Sequence, residues 1–171
     1  ILLNALHKSN VFASLSYSDM PFVLAPNLWS KISFNKKYSE SIINNLPFKL
    51  TNSQKKVFDE INLDLLSKNR MFRIIQGDVG CGKTIVSLLA IMNVIKSGYQ
   101  CALMGPTEIL AKQHYNLAKK VFGKTNYIVE FLTGKTENKE RKKILNNLRL
   151  GKTNLLIGTH SLFQKKIDFL K

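Results

Sequence analysis

The pattern of apolar and polar positions divides the chain into an irregular N-terminal region and a regular remainder. In the remainder, short apolar runs predict strands at 71–75, 101–104, 127–132 and 155–157. Between these runs, apolar residues recur at helical spacing, which predicts helices over 51–65, 85–95, 107–122 and 137–150. Strands that alternate with helices indicate an α/β fold, in which helices cover both faces of a parallel sheet.

Residues 1–45 do not share this regularity. They contain prolines, many serines and asparagines and several lysines, and only short apolar runs such as 22–24 are candidate strands. No motif in this region carries recognisable chemistry. We therefore divide the chain into an unassigned segment, 1–45, and an α/β segment, 46–171.

The turn after the strand at 71–75 carries the most specific motif in the chain. Its sequence, GDVGCGKT, fits the phosphate-loop pattern G-x-x-x-x-G-K-[ST] in the expected strand–turn–helix context. The loop consists of Gly77, Asp78, Val79, Gly80, Cys81, Gly82, Lys83 and Thr84. An ordinary glycine-rich turn is the alternative, but the strand, the spacing, the Lys–Thr pair and the helix all agree with nucleotide binding.

Each part of this motif suits phosphate chemistry. Glycines allow successive backbone N–H groups to turn inward and form an anion-binding site at a helix N-terminus. Lys83 can reach the β- and γ-phosphates, and the hydroxyl of Thr84 can bind Mg²⁺. The motif therefore predicts that the chain binds a nucleoside triphosphate together with Mg²⁺.

Composition suggests a second, polyanionic ligand. The 171 residues include 26 basic and 11 acidic side chains, which gives a formal net charge of +15. The field around such a protein attracts nucleic acid or an anionic surface. A lysine-rich solvated surface is the alternative, because charge alone does not distinguish the two.

Cysteine usage and hydropathy place the protein away from membranes and oxidising compartments. Cys81 and Cys101 are expected to be reduced thiols of a cytoplasmic protein rather than parts of a disulfide framework. No apolar run is long enough to span a membrane.

Three further turns contain polar groups that suit phosphate. Thr107, Lys135 and His160 each lie just after a predicted strand. Taken singly, these residues fit a helix cap, a solvated turn and a structural histidine. Because the carboxyl ends of parallel strands meet at one edge of a sheet, the three turns together predict a nucleic-acid track beside the nucleotide.

Gln54 has two competing interpretations. The sequence T-x-x-Q at 51–54 fits a capping box, in which the Gln54 side chain accepts a hydrogen bond from the backbone N–H of Thr51. An amide can also read an adenine edge, since it offers one donor and one acceptor group. Spacing alone favours the cap.

Six sequence blocks, in this order, resemble the first motor lobe of superfamily 2 DNA translocases, in particular the RecG branch-migration helicases. The blocks are LPFKLT with Gln54, QGDVGCGKT, GYQCALM, PTEILAKQH, LTGK and GTHSLFQ, which together span 46–164. The motor of the transcription-repair coupling factor shares the phosphate loop and the GTH block, and it is the nearest alternative. The LPFKLT and PTEILA blocks favour RecG.

The resemblance implies a P-loop NTPase with a RecA-like sheet that uses ATP to remodel replication forks, Holliday junctions and other branched or duplex DNA. It implies that Gln54 contacts adenine, which reverses the preference from spacing, and that 1–45 connects to an upstream DNA-binding region. The implied DNA-binding residues are Pro106, Thr107, Glu108, Gln113, His114, Thr133, Gly134, Lys135, Gly158, Thr159 and His160.

The resemblance also predicts that the chain is part of a longer enzyme. Helicases of this type carry an Asp-Glu-x-His block after the GTH turn, and a second motor lobe with an arginine finger. Neither is found in these 171 residues, which begin with Ile1. The only Asp–Glu dipeptide, Asp59–Glu60, is expected on a solvated helix face.

We therefore expect the isolated chain to bind ATP and DNA weakly without turnover. A non-catalytic remnant of the enzyme is the alternative. A metabolite kinase built on a phosphate loop disagrees with the basic charge and with the three polar turns.

Overall fold

The computed structural model describes residues 9–15, 22–26, 40, 43–44, 46, 48–67, 71–163 and 167–170. The strands are β1 Ser9–Leu15, β2 Phe22–Pro26, β3 Met71–Ile75, β4 Cys101–Met104, β5 Val129–Leu132 and β6 Leu155–Gly158. The principal helices are α1 Asn52–Leu66, α2 Lys83–Lys96, α3 Glu108–Phe122 and α4 Asn138–Arg149, and a 3₁₀ helix spans His160–Phe163.

The strands form one sheet in the order β3-β1-β2-β4-β6-β5. β4, β6 and β5 are parallel to one another, and β3 is parallel to β1. β2 is antiparallel to both of its neighbours, β1 and β4. Only residues 16–21 join β1 to β2, and so short a connection fits antiparallel neighbours, since parallel strands need a long crossover. The predicted α/β fold is confirmed, with β2 as the antiparallel strand among those described.

The side chains of β4 show how the helices are divided between the faces of the sheet. Cys101 and Leu103 lie in a core cluster with residues of α1, α2 and α3. Ala102 and Met104 lie in a second cluster with residues of α4. Because successive side chains of a strand point to opposite faces, three helices cover one face and α4 covers the other. This confirms the predicted layering.

α2 is the central helix of the larger cluster. Its residues from Ile85 to Ile95 are all buried, as expected for a helix that is apolar nearly all round. Asn93 at its far end donates to Asn62 Oδ1 of α1 at 2.9 Å. Tight packing along this helix fixes the position of its first residue, Lys83.

β5 is shorter than the strand predicted over 127–132. The N–H of Ile128 donates to Asn154 Oδ1 at 2.8 Å, and the N–H of Asn154 donates back to the Ile128 carbonyl at 2.9 Å. An asparagine side chain therefore takes the place of a strand partner at Ile128. The spacing of apolar residues along the sequence does not indicate that an asparagine side chain pairs with the backbone at this position.

Gln100 joins several segments at the edge of the sheet where β4 begins. Its buried amide donates to the carbonyls of Leu148 at 3.0 Å and Thr153 at 2.7 Å. Its Oε1 accepts from the N–H of Leu170 at 2.7 Å. One side chain thus connects α4, the turn that follows it and the segment 167–170 to β4.

We expect Gln100→Met, which keeps the volume and removes the polar groups, to lower the free energy of unfolding by about 1–3 kcal/mol. The buried Thr153 carbonyl then loses its donor, at roughly 1–3 kcal/mol. The Leu148 carbonyl still accepts from the N–H of Gly151 at 3.0 Å, and Leu170 is exposed. Urea denaturation followed by circular dichroism measures the change. Gln113→Met on the exposed side of α3 is the matched control, and an equal loss in both variants would contradict the role given to Gln100.

Candidate nucleotide site and nucleic-acid edge

The turn from β3 to α2 has the backbone geometry of an anion-binding loop. Gly80 and Gly82 have φ values of 83° and 84°, in the left-handed region that side chains rarely adopt. Gly82 is also the N-cap of α2 and provides no side-chain hydrogen bond to the first turn. The N-terminal N–H groups of α2 are therefore available to an anion, with the helix dipole favouring negative charge.

Lys83 lies inside this loop with its charge buried. Its side chain is 8% exposed. Nζ donates to the carbonyls of Gly77 at 2.8 Å and Asp78 at 2.9 Å, and it lies 4.0 Å from Cys81 Sγ. None of the ion pairs found among the described residues involves Lys83. The loop therefore holds a cation that carbonyl dipoles solvate and no carboxylate neutralises.

The remaining loop residues differ in their exposure. Thr84, the second residue of α2, is half-buried directly after Lys83. Asp78, Val79 and Cys81 are exposed, and the side chain of Val79 is 85% accessible. The side chains of Asp78, Val79 and Cys81 are therefore exposed to solvent, whereas the Lys83 ammonium lies inside the loop. This arrangement fits the phosphate groups of a nucleotide.

Gln54 forms the capping box that its spacing favoured and also contacts the phosphate loop. Its Oε1 accepts from the N–H of Thr51 at 2.9 Å, and its own N–H donates to Thr51 Oγ1 at 3.2 Å, which completes the capping box. Its Nε2 donates to the carbonyl of Cys81 at 2.9 Å. A Cβ on Gly82 would collide with this Nε2, so the close approach requires glycine there. The predicted contact to adenine stays a prediction.

Arg73 ties the same helix to the strand that feeds the loop. Its guanidinium donates to Asp64 Oδ2 at 2.6 Å and to Glu60 Oε2 at 2.7 Å, both on α1. The hydrogen bond to Asp64 is the largest cause of a raised Arg73 pKa. Asp59 is exposed, as expected of a solvated helix face, but Glu60 is ion-paired with β3. Among the described residues, neither carboxylate of Asp59–Glu60 makes a contact with the phosphate loop.

The three predicted nucleic-acid turns lie together. β4, β6 and β5 are adjacent and parallel, so the turns that follow them leave from one edge of the sheet. The N–H of Gly105 donates to the carbonyl of Gly158 at 2.9 Å, and Ser161 Oγ donates to the carbonyl of Leu132 at 3.1 Å. A Cβ on Gly158 would collide with that same Leu132 carbonyl. Backbone contacts of this kind hold the three turns side by side.

The predicted DNA-binding residues divide into a buried set and an accessible set. The buried set is His114, Thr133 and Gly158, and the accessible or half-buried set is Pro106, Thr107, Glu108, Gln113, Gly134, Lys135, Thr159 and His160. Thr107 also caps α3 by accepting from the N–H of Leu110 at 3.3 Å. Lys135 pairs with Glu108 at 3.1 Å, which links the turn after β5 to the start of α3.

The two cysteines differ in their surroundings. Cys81 is exposed in the phosphate loop, whereas Cys101 is buried in β4, where desolvation raises the pKa of its thiol. Both are free thiols, as predicted. Within the described part of the chain, no helix has the length and apolar character needed to cross a membrane.

Fold and site together define the class of protein. The sequence profile of the DEAD/DEAH box helicases matches residues 51–170, so the chain belongs to this family of ATP-dependent motor proteins, with a RecA-like lobe around its phosphate loop. The match begins at the N-cap of α1 and includes every candidate site residue.

Among members of this family, the chain is similar to RecG helicases. It is 47% identical over 133 residues to the ATP-dependent DNA helicase RecG of Thermotoga maritima, covering 78% of this chain and 17% of that protein. It is 45% identical over 136 residues to RecG of Bacillus subtilis, covering 80% and 20%. The solved structure of RecG bound to a three-way DNA junction superposes with a TM-score of 0.76 at 44% identity, covering 82% and 20%.

These comparisons confirm the resemblance found in the sequence blocks. They also show that the chain spans about a fifth of the length of these relatives.

We expect a thiol-specific alkylating reagent to modify Cys81 and to leave Cys101 unmodified in the folded protein. The thiolate is the reactive form, and burial holds the Cys101 thiol protonated and out of reach. Mass spectrometry after a timed reaction gives the site of labelling, and both thiols should react in strong denaturant. Labelling of Cys101 at the same rate as Cys81 without denaturant would show that the β4 core opens.

Thr51→Ala and Gln54→Ala separate the two contacts of Gln54. Each variant breaks the capping box and should lower the free energy of unfolding by about 1 kcal/mol. Only Gln54→Ala also removes the hydrogen bond to the Cys81 carbonyl, so it alone should speed alkylation of Cys81. Equal alkylation rates in the two variants would mean that Gln54 does not restrain the loop.

Proposed function

We propose that this chain is part of a cytoplasmic ATP-dependent DNA helicase that remodels branched DNA, such as replication forks and Holliday junctions, in recombination and repair. In this proposal, 46–171 is the N-terminal part of the first motor lobe, and 1–45 connects it to an upstream DNA-binding region while contributing β1 and β2 to the same sheet. The similarity to RecG helicases over about four-fifths of the chain supports this proposal, and the motor of a transcription-repair coupling factor is the alternative.

The buried ammonium of Lys83 is the observation that carries the nucleotide part of the proposal. Moving a charge out of water is costly unless an opposite charge or strong hydrogen bonds compensate. Two carbonyl oxygens compensate Lys83 only in part, and no ion pair of the described residues includes it. Phosphate oxygens at the N-terminus of α2 would supply the missing negative charge.

The other residues of the site take roles that their positions allow. Backbone N–H groups of 77–84 would bind the phosphates, and Thr84 would provide a hydroxyl ligand to Mg²⁺, which when bound neutralises phosphate charge. The amide of Gln54 lies against the loop at Cys81, so a modest turn of the side chain would let it read an adenine edge. Binding would therefore exchange the Cys81 contact for one to the base.

The DNA part of the proposal rests on the shared edge of β4, β6 and β5. The exposed groups there, Gln113, Lys135 and His160, are donors or cations suited to a phosphodiester backbone. The buried members, such as Thr133, hold the turns in shape: its hydroxyl accepts from the N–H of Lys135 at 3.3 Å. Binding would be mainly electrostatic and would weaken steeply with salt.

We expect the 171-residue chain to bind ATP without appreciable turnover. Phosphoryl transfer depends on groups that position the nucleophile and stabilise the developing charge. The sequence contains no Asp–Glu pair after a predicted strand, and in this proposal a second motor lobe supplies the arginine finger. Lys83 and Thr84 would bind and orient the triphosphate in both the isolated chain and the whole enzyme.

Lys83→Met should abolish measurable nucleotide binding and at the same time raise the free energy of unfolding of the ligand-free chain by about 1 kcal/mol. The first effect follows from loss of the phosphate contact, and the second from replacing an unneutralised buried cation by an apolar side chain of similar length. A fluorescent ATP analogue titrated by anisotropy and urea denaturation without nucleotide measure the two quantities.

Lys124→Met, at an exposed position after α3, is the matched control and should leave both quantities unchanged. A Lys83→Met protein that is less stable than the original and still binds the nucleotide analogue would overturn the assignment of this loop as the triphosphate site.

A further inference from the structure

Two lysines and two aromatic rings form an ordered cluster where α3 packs on the edge strand β5. Lys112 Nζ lies 4.9 Å from the ring centroid of Tyr115 and 4.9 Å from that of Phe131. Lys119 Nζ lies 5.7 Å from the Tyr115 centroid, and the two rings are 5.3 Å apart. We call these four residues the lysine–aromatic platform. Lys112 lies within the PTEILAKQH block but is not one of the implied DNA-binding residues, and Lys119 lies outside all six blocks.

The platform is built by helical spacing and by burial of its rings. Lys112, Tyr115 and Lys119 follow one another at intervals of three and four residues, so they share one side of α3. Tyr115 and Phe131 are half-buried and pack against the larger core cluster. The rings are therefore fixed, and the two exposed ammonium groups are attracted to fixed aromatic surfaces.

This arrangement orders the two positive charges without neutralising them. No ion pair of the described residues involves Lys112 or Lys119. Glu130 is next to Phe131 in sequence but points to the opposite face of the sheet, where Asn147 and Thr153 donate to its carboxylate. The N–H donors of both ammonium groups stay available to an external anion.

The platform is continuous with the predicted DNA track. A surface groove is lined by Glu108, Ile109, Lys112, Gln113, Asn116 and Lys135. Three of these are predicted DNA-binding residues, so Lys112 belongs both to that groove and to the platform. Lys119 lies two helical turns further on, about 10 Å along the axis of α3 at roughly 1.5 Å per residue.

We propose that the lysine–aromatic platform binds the phosphodiester backbone of a DNA strand that continues beyond the three turns, along α3 and past the edge of β5. This inference rests on the proposed DNA-binding function and extends its contact surface. The rings hold the lysines and do not stack on bases, because Lys112 already lies over both of them. Binding at the platform is therefore independent of base sequence and sensitive to salt.

The test is the salt dependence of forked-DNA binding by the 171-residue chain, measured by fluorescence anisotropy. The double variant Lys112→Ala, Lys119→Ala should weaken binding, and the slope of log K against log salt should become shallower by about 1.8, since each lost phosphate contact contributes roughly 0.9 for duplex DNA. The control Lys139→Ala, Lys143→Ala removes two exposed charges from α4, on the other face of the sheet, and should change the slope by less than half as much.

Two single variants test the role of the ring. Tyr115→Leu keeps both charges and removes the aromatic surface, so it should weaken binding several-fold, whereas Tyr115→Phe should bind like the unaltered chain. Circular dichroism and urea denaturation confirm that each variant is folded before its binding is interpreted.

The outcomes separate this inference from the function it rests on. Failure of the unaltered chain to bind forked DNA would contradict the proposed DNA-binding function itself. Normal binding with an unchanged slope in the Lys112, Lys119 variant would contradict the platform alone. Equal losses in the α3 and α4 variants would also overturn it, because they would show a diffuse positive field rather than an ordered site.

Discussion

The buried ammonium of Lys83 is the constraint to which the rest of this structure is adapted. A cation at 8% exposure needs oxygen ligands, and the carbonyls of Gly77 and Asp78 reach it only because the loop curls around the start of α2. That curl requires left-handed backbone at Gly80 and Gly82. The helix behind Lys83 is buried nearly throughout, so the core holds the backbone of Lys83 in place. Sequence motif, backbone geometry and core packing thus share one electrostatic cause.

α1 contacts both the phosphate loop and the strand that precedes it, β3. Near its start, Gln54 donates to the Cys81 carbonyl and closes a capping box with Thr51. Further along it, Glu60 and Asp64 hold Arg73 of β3. One helix therefore contacts the phosphate loop through an amide and the strand before it through two carboxylates. The match of the helicase profile begins at Thr51, so α1 lies within the helicase domain rather than before it.

Secondary structure could be predicted from the sequence where a short segment contains all the information that decides its conformation. The capping box, the phosphate loop and the strand–helix alternation from residue 51 onward are local patterns, and each was found within two residues of its predicted position, whereas β1, in the region described as irregular, was not predicted. Prediction failed where the partner is distant in sequence. Asn154 replaces a strand partner at Ile128, Gln100 reaches the carbonyls of Leu148 and Thr153, and Lys112 lies over Phe131. The spacing of apolar residues along the chain carries no information about such long-range contacts. For Gln54 the capping box is confirmed, whereas its contact to the Cys81 carbonyl joins residues 27 positions apart and was not predicted.

Strand polarity explains why the two candidate sites share one edge of the sheet. β3 is parallel to β1, and two antiparallel pairings lead from β1 through β2 to β4, so β3 and β4 point the same way. Three strand spacings separate them, about 14 Å at roughly 4.8 Å each. α2 spans this distance. It starts at Lys83 in the loop, and the core cluster that contains α2 also contains Cys101 and Leu103 of β4. Close-packed interiors transmit displacement rather than absorb it. α2 therefore connects the phosphate loop at Lys83 to the strand that leads into the turn at Pro106 and Thr107, so a displacement of this helix at one candidate site would be transmitted towards the other.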